Sequence, residues 1–545
     1  MRKTLLIGLD GGTFDVVDPL MRRGELPHLA SLIERGVRGP LRSTVPPLTA
    51  PAWPSILSGL NPGRHGIYGF EALDHVTAAT RESRPVSSHS FAGRTLFDHV
   101  GGHGGRVLGV GIPMCYPTWP VNGRLLSGYP NPDPRRFFTY PADWASELAE
   151  TLPAADSHEL AEGEGALPTA RLERIDARMQ RLAAYLANLM RADAADFTMI
   201  VISATDHFQH WYWHLRGDRP APDDPIDGVY RAADHLIGTL LQATDESWIV
   251  GVVSDHGAGA APERLFVVNS WLRGIGLLAR PEAGQAGLRR RAMRLVRRAA
   301  QPAIKSLVYR LISTETRQTL RALETASKLP DWTDTRAYFV RLAYPIGGLN
   351  LNVRGREPSG IVEPGDDFDR LRARIADELQ RVIDPVSGAR VVDQVWRREE
   401  LFNGPHLESA PDLLFQVAEP YFPANGMGDA VFRDVSISPH EMKSGQHRMD
   451  GMLVLSGAGR FRAAAQVSGA TVMDVAPTLL HAMGLPVPLG LDGRVLSEAF
   501  EPQGFAAQPI MHHEDASAAA LEPSEYSDEE EEGIRAALRG LGYVE

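Results

Sequence analysis

A single cysteine, Cys115, stands in a chain of 545 residues. That excludes an internal disulfide framework and a cysteine-ligated zinc cluster, so any metal must be held by histidine and carboxylate. Long apolar runs are missing as well. No stretch approaches the roughly 18–20 apolar residues that a membrane-spanning helix needs. The basic start Met1-Arg2-Lys3 leads into an apolar run too short for a secretory signal and broken by Asp10, so the expected compartment is the cytoplasm. Positive charge is not in excess. The net charge of -12 argues against nucleic-acid binding by bulk attraction. No internal repeat occurs. What is present is a globular composition, 43% hydrophobic and 23% charged, on a chain long enough to bury a large core.

The stretch Thr4-Leu5-Leu6-Ile7-Gly8-Leu9-Asp10-Gly11-Gly12 reads as a strand covered on both faces, because its apolar residues do not alternate with polar ones. It ends on Asp10 at a glycine turn, at the strand edge where open α/β sheets bind ligands. A similar strand, Trp248 to Val253, ends in Ser254-Asp255-His256-Gly257. Between them, prolines cluster in Ser43 to Pro54 and then apolar residues recur at helical spacing. This reads as a rigid loop delivering Thr49 to a helix start, where free backbone N–H groups favour phosphate or sulfate oxygens.

A helix is expected near 26–35, between Pro27 and Gly36, and another near 170–192. Strands are expected at Val107–Ile112, Leu125–Gly128, Asp196–Ser203, Tyr338–Val353 and Ala410–Val417, and a capped helix at Val472–Gly484. Alternating strands and helices argue for an α/β fold with a mostly parallel central sheet flanked by helices. Residues 281–329 stand apart. Arg289, Arg290, Arg291, Arg294, Arg297 and Arg298 surround apolar positions such as Met293 and Val296, and Pro302 splits the segment. It reads as a basic helical cap insertion with its charges in water, or as a surface for anionic partners. The expected division is a catalytic domain over 1–280 and 330–502, the cap at 281–329, and a loose tail at 503–545 ending in a short helix docked by Ile534, Leu538 and Leu541.

The acids and histidines at strand ends and turns carry the chemistry. Asp206 and His210 share one helix face at i,i+4, as do His210 and His214, and spacing alone does not choose between the pairs. His447 sits in a glycine-flanked loop before the strand Met452–Ser456. Oxygen and nitrogen ligands suit two divalent ions, zinc or manganese. Two such ions clamp the attacking and leaving oxygens of a phosphoryl transfer, and a threonine hydroxyl on one of them becomes a nucleophile. Each residue also has a structural reading on its own, such as a turn, a cap or a packed histidine.

Taken in order, these pieces resemble the alkaline phosphatase superfamily, in particular its nucleotide pyrophosphatase/type I phosphodiesterase branch. The pieces are Gly8-Leu9-Asp10-Gly11, Pro46-Pro47-Leu48-Thr49-Ala50-Pro51-Ala52-Trp53, Ser58 to Ile67, Asp206 with His210, Ser254-Asp255-His256-Gly257 and Gly445-Gln446-His447. Asp474 to Thr478 and Leu491-Asp492-Gly493-Arg494 also look like that group. The resemblance implies an alkaline-phosphatase-like fold. It implies one ion on Asp206, His210 and His447, a second on Asp10, Asp255 and His256, and Thr49 between them as nucleophile, passing through a phospho-threonine that water hydrolyses. His207 and His214 are then structural. The branch usually carries an asparagine shortly after its His-Gly-Ile motif, where this chain has Phe70. Ala50 through its N–H, and Lys443 or Arg448, are the candidates for holding the phosphate instead. The implied enzyme acts on a small phosphorylated substrate such as a nucleotide, without nucleic acid. The rivals are phosphomonoesterase, sulfatase or phosphomutase chemistry on the same scaffold, and a non-catalytic binder of phosphorylated ligands.

Overall fold

The computed structural model describes residues 1–72, 84–152, 168–193, 195–216, 223–280, 330–435, 444–457, 459–514 and 526–540. In chain order the central sheet draws on β1 (Thr4–Leu9), β2 (Gly36–Arg42), β3 (Val107–Ile112), β4 (Gly123–Ser127), β5 (Thr139–Tyr140), β6 (Phe197–Ile202) and β7 (Ile249–Val253). The chain then leaves that sheet through β8 (Gly257–Ala260), β9 (Arg264–Val267), β10 (Ala337–Arg341), β11 (Ile346–Leu351), β12 (Val392–Arg397), β13 (Leu413–Val417), β14 (Tyr421–Ala424), β15 (Phe432–Asp434) and β16 (Gly445–Arg448). It returns with β17 (Asp450–Gly457), β18 (Ala465–Gln466) and β19 (Ala470–Thr471). Sheet order is β18-β2-β17-β7-β1-β6-β3-β4-β5, with β19 also on β2. The centre is parallel: β1 lies between β6 and β7, and β3 between β6 and β4. Antiparallel β17 and β5 flank it.

β1, β6 and β7 are buried at every position, which is why their sequences lack alternation. Successive side chains still point to opposite faces. Leu5, Ile7 and Leu9 join a core with Ile200, Ile202 and Leu236 beneath the helices Pro168–Asp193 and Pro225–Leu241. Leu6 points the other way, into a core with Trp53, Phe97 and Leu455 under the helices Thr49–Ser58 and Val475–Met483.

Most expected elements form within a few residues of their predicted ends, the helices at Pro27–Glu34 and Pro168–Asp193 among them. Several differ. The long strand expected at Tyr338–Val353 is a hairpin, β10 and β11. Together with β13 and β12 it makes a second, antiparallel sheet with its own core of Phe266, Leu349, Leu379 and Phe415. Its short, largely buried strands do not announce in sequence which sheet they join. Part of the stretch expected to be loose is a helix, Pro502–Ala507, while the short terminal helix forms as expected at Asp528–Gly540 with Ile534 and Leu538 in the main core. Leu541 and the whole cap segment 281–329 lie outside the described residues. No helix among the described residues is long and apolar enough to cross a membrane.

The second sheet is tied by a buried ion cluster. Asp412, fully buried, accepts from the Leu351 N–H at 2.8 Å and from the Arg356 guanidinium at 2.6 and 2.7 Å, with Arg398 at 3.4 Å. Asp412→Ala leaves these donors without their acceptor, and a cost of about 3 kcal/mol is expected. A thermal unfolding midpoint several degrees below that of the unsubstituted chain is the result to look for, with an unchanged midpoint counting against the cluster.

Candidate metal centre

Parallel pairing puts the carboxyl ends of β1, β6 and β7 on one edge, and each delivers an acid there. Asp10 follows β1, Asp255 follows β7, and Asp206 lies in the first turn of the helix Ala204–Tyr212 that follows β6. His210 is one turn further along that helix. His447 arrives from the hairpin: β16 pairs antiparallel with β8, setting His447 opposite Ala258, two residues after His256. It was expected in a loop. The run Gly-Gln-His-Arg is too short to show a strand pattern, and only pairing with β8 makes it one. Asp10, Asp206, His210, Asp255, His256 and His447 are all buried, none more than 4% exposed.

The contacts are close. His210 Nε2 lies 3.0 Å from His447 Nε2 and 3.4 Å from Asp206 Oδ2, and His447 Nε2 lies 3.6 Å from Asp206 Oδ1. His256 Nε2 lies 3.4 Å from Asp255 Oδ2 and 3.7 Å from Asp10 Oδ1. The His256 and His447 rings stack with centroids 3.7 Å apart. Two ligand groups emerge, Asp206/His210/His447 and Asp10/Asp206/His256, each with ligand atoms within 4.8 Å of one another. Asp206 therefore stands in both groups, more central than the resemblance implied. Asp255 engages the Gly11 N–H at 3.1 Å through Oδ1, leaving Oδ2 for the pocket.

Tautomers follow from the hydrogen bonds. His210 Nδ1 faces the Gly445 carbonyl at 2.8 Å, His447 Nδ1 the Pro47 carbonyl at 2.8 Å, and His256 Nδ1 the Gly257 carbonyl at 3.0 Å. A carbonyl only accepts, so each Nδ1 carries the hydrogen and each Nε2 presents a lone pair to the pocket. Asp10 Oδ1, Asp255 Oδ2 and His256 Nε2 have no hydrogen-bond partner among the described residues. Facing lone pairs and orphaned carboxylate oxygens repel, and divalent cations are what this donor set fits.

The titration directions agree. Burial raises Asp10 well above the usual carboxylate range, and Asp255 and Asp206 raise it further. Burial also raises Asp255, against the pull of His256. Burial acts the same way on Asp206, but His210, His447 and His256 outweigh it and hold that carboxyl below its ordinary value. Burial and then His256 push His447 well down, keeping its imidazole neutral as a ligand must be.

Thr49 opens the helix Thr49–Ser58 and is 4% exposed. Ala50 is next, in the first turn, where N–H groups have no carbonyl a turn behind. Other predicted residues fall elsewhere. Phe70 is core packing, 4% exposed and edge-on to Tyr129 at 5.8 Å. Arg448 follows His447 on a strand and so points to the opposite face, where it pairs with Glu419 and lies over Tyr344. Lys443 lies outside the described residues. His214, in the 3-10 turn Trp213–Leu215, contacts Ser444 at 3.0 Å at the surface, and His207 is buried on the helix Ala204–Tyr212. Sequence reasoning missed the supports. The Thr205 hydroxyl donates to the Asp10 carbonyl at 2.6 Å, and Gln209 Nε2 to the Gly11 carbonyl at 2.9 Å. Trp53 Nε1 donates to Asp10 Oδ2 at 3.3 Å. Each lies within about a turn of a predicted site residue, Thr205 just before Asp206, Gln209 after it and Trp53 after Thr49, but nothing in sequence aims Trp53 at Asp10.

A mostly parallel sheet with Asp/His clusters at its carboxyl edge is an α/β fold with a candidate metal centre, and the family that residues 4–450 match makes it a hydrolase of phosphoester bonds. Residues 4–450 match the family described as type I phosphodiesterase / nucleotide pyrophosphatase, and the chain belongs to that metal-dependent family. No curated protein sequence matches the chain. Similar solved structures include murine ectonucleotide pyrophosphatase / phosphodiesterase 5, an inactive form in complex with AMP, at 12% identity and TM-score 0.50, over 92% of this chain and 100% of that one. The human counterpart is 12% identical with TM-score 0.48, over 90% and 97%. Phosphonoacetate hydrolase from Sinorhizobium meliloti 1021, in complex with phosphonoacetate, is 15% identical with TM-score 0.49, over 87% and 94%. At such identities the likeness is one of fold.

Because Asp206 stands within reach of both groups, Asp206→Ala is expected to abolish binding of the ion it shares with His210 and His447 and to weaken the other, while His210→Ala weakens only the first. Metal content per chain after dialysis against zinc or manganese reads the difference. Retention of both ions by Asp206→Ala would remove it from the centre.

Proposed function

We propose that the chain is a two-metal phosphodiesterase or nucleotide pyrophosphatase with Thr49 as nucleophile. The observation that carries this reading is the convergence of three histidine lone pairs and three carboxylates beside the loop that leads into Thr49. His447 touches the Pro47 carbonyl at 2.8 Å, and two residues of chain carry Thr49 no further than about 7 Å from there. In this reading Asp206, His210 and His447 hold one zinc or manganese ion and Asp10, Asp255 and His256 the other, in a catalytic unit formed by 1–280 and 330–502. Bound, the ions would supply Lewis-acid charge to the phosphoryl oxygens and the Thr49 hydroxyl.

Thr49 Oγ gives up its proton and bonds to phosphorus as the bond to the leaving oxygen breaks. The leaving alcohol or phosphate departs with that electron pair and takes up a proton. Water then adds to phosphorus, the bond to Oγ breaks, and Thr49 recovers a proton while phosphate or a phosphomonoester leaves. The Ala50 N–H, in a helix first turn, donates to a phosphoryl oxygen. Nucleotides head the substrate class, following the family description. With Phe70 packed in the core, the position the resemblance assigns to a phosphate-holding asparagine contributes no polar group.

Hydrolysis of a nitrophenyl phosphodiester in the presence of zinc or manganese is expected, abolished by chelator. Thr49→Ala should lower kcat by about 10³-fold or more. A rate unaffected by either treatment would reject the mechanism, and a preference for nitrophenyl phosphate over the diester would move the substrate class to monoesters.

A further inference from the structure

We infer that Trp53 is a positioning residue that fixes which oxygen of Asp10 faces the metal centre. Trp53 lies one turn after Thr49 on the same helix and is fully buried. Its indole N–H donates to Asp10 Oδ2 at 3.3 Å. Asp10 Oδ1 is left without a hydrogen-bond partner among the described residues and stands 3.7 Å from His256 Nε2. The carboxylate is thus divided: one oxygen is held by the nucleophile helix and the other is offered to the ion.

The indole has little freedom to do otherwise. Its six-membered ring lies against Gly8, and any side chain at Gly8 would collide with it and with Val201. That collision gives Gly8 its reason in the Gly-Leu-Asp-Gly run. Indole is a donor only. It neither ligates a cation nor accepts a proton, so its one available contact with Asp10 steadies the ionised form. Without it, a carboxylate in a crowded anionic pocket is free to rotate toward Asp206 and Asp255 or to bind bidentately. The same contact sets the spacing between the helix of Thr49 and the Asp10 ligand, linking nucleophile and ion through one side chain.

This role rests on the metal centre proposed above, but its test does not require turnover. Metal-free full-length chain is titrated with zinc chloride or manganese chloride by calorimetry, with a His210→Ala background to identify the step belonging to the Asp10/His256 ion. Trp53→Phe keeps an aromatic ring and deletes the N–H. It is expected to weaken that step by about 10–100-fold and leave the other step within about 3-fold. Trp53→His restores an N–H at the equivalent ring position and is expected to recover part of the loss. Equal weakening of both steps, unchanged affinity, or no recovery with histidine would reduce Trp53 to packing and overturn the inference. If the unsubstituted chain bound no divalent ion, the metal centre itself would fall, and this role with it.

Discussion

Burying lone pairs and negative charge together is the constraint on which this structure turns. Asp10, Asp206 and Asp255 meet His210, His256 and His447 with every one of these side chains buried, and each imidazole has its Nδ1 hydrogen spent on a backbone carbonyl. Such a cluster is unfavourable by itself. Desolvation alone disfavours each carboxylate, and the carboxylates repel one another. Divalent cations reverse the sign of that balance, so the site carries an energetic demand for them before any substrate arrives.

The fold serves that demand by delivering rigid elements from far apart in the chain. Three parallel strands bring one acid each to a single edge, with no loop long enough to let the acids drift. The fourth contribution comes from outside the sheet, since β16 reaches the edge only by pairing with β8. The backbone is part of the site as much as the side chains. The Pro47 carbonyl orients His447, the Gly11 N–H holds Asp255, and Gly445 and Gly257 orient the other two histidines. Gly11 takes a φ of +64°, which favours glycine and turns its N–H toward Asp255. The Pro47 carbonyl before Thr49 and the Trp53 contact after it then fasten the helix of Thr49 to both ligand groups.

Much of this was legible before any coordinates. Asp10, Asp255 and His256 were legible as candidates because each follows a buried strand at a glycine turn, though singly each could equally have been a cap or a turn and only their co-occurrence favoured a shared site. The helix of Asp206 and His210 was legible too, but His214 satisfied the same spacing. Only its position at the surface beside Ser444 removes it. Arg448 was a reasonable phosphate ligand as a neighbour of His447, yet the two-residue period of a strand sends it to Glu419 on the opposite face. Phe70 follows a motif loop and could have lined the pocket, but its apolar ring is taken up by the core against Tyr129. The second sheet was misread because its strands pair locally and antiparallel, a pattern that short apolar runs do not separate from the main sheet.

What the sequence determined alone is the class of chemistry and its raw materials. Lacking cysteine ligands and carrying acids at the ends of buried strands, the chain had to use oxygen and nitrogen donors at a sheet edge. What tertiary structure decided is which donors meet and which atom of each is free. Asp206 stands between two groups, and Asp10 divides its oxygens between Trp53 and the pocket. Those outcomes depend on strand order, register and burial, and these arise from contacts hundreds of residues apart that local spacing does not encode.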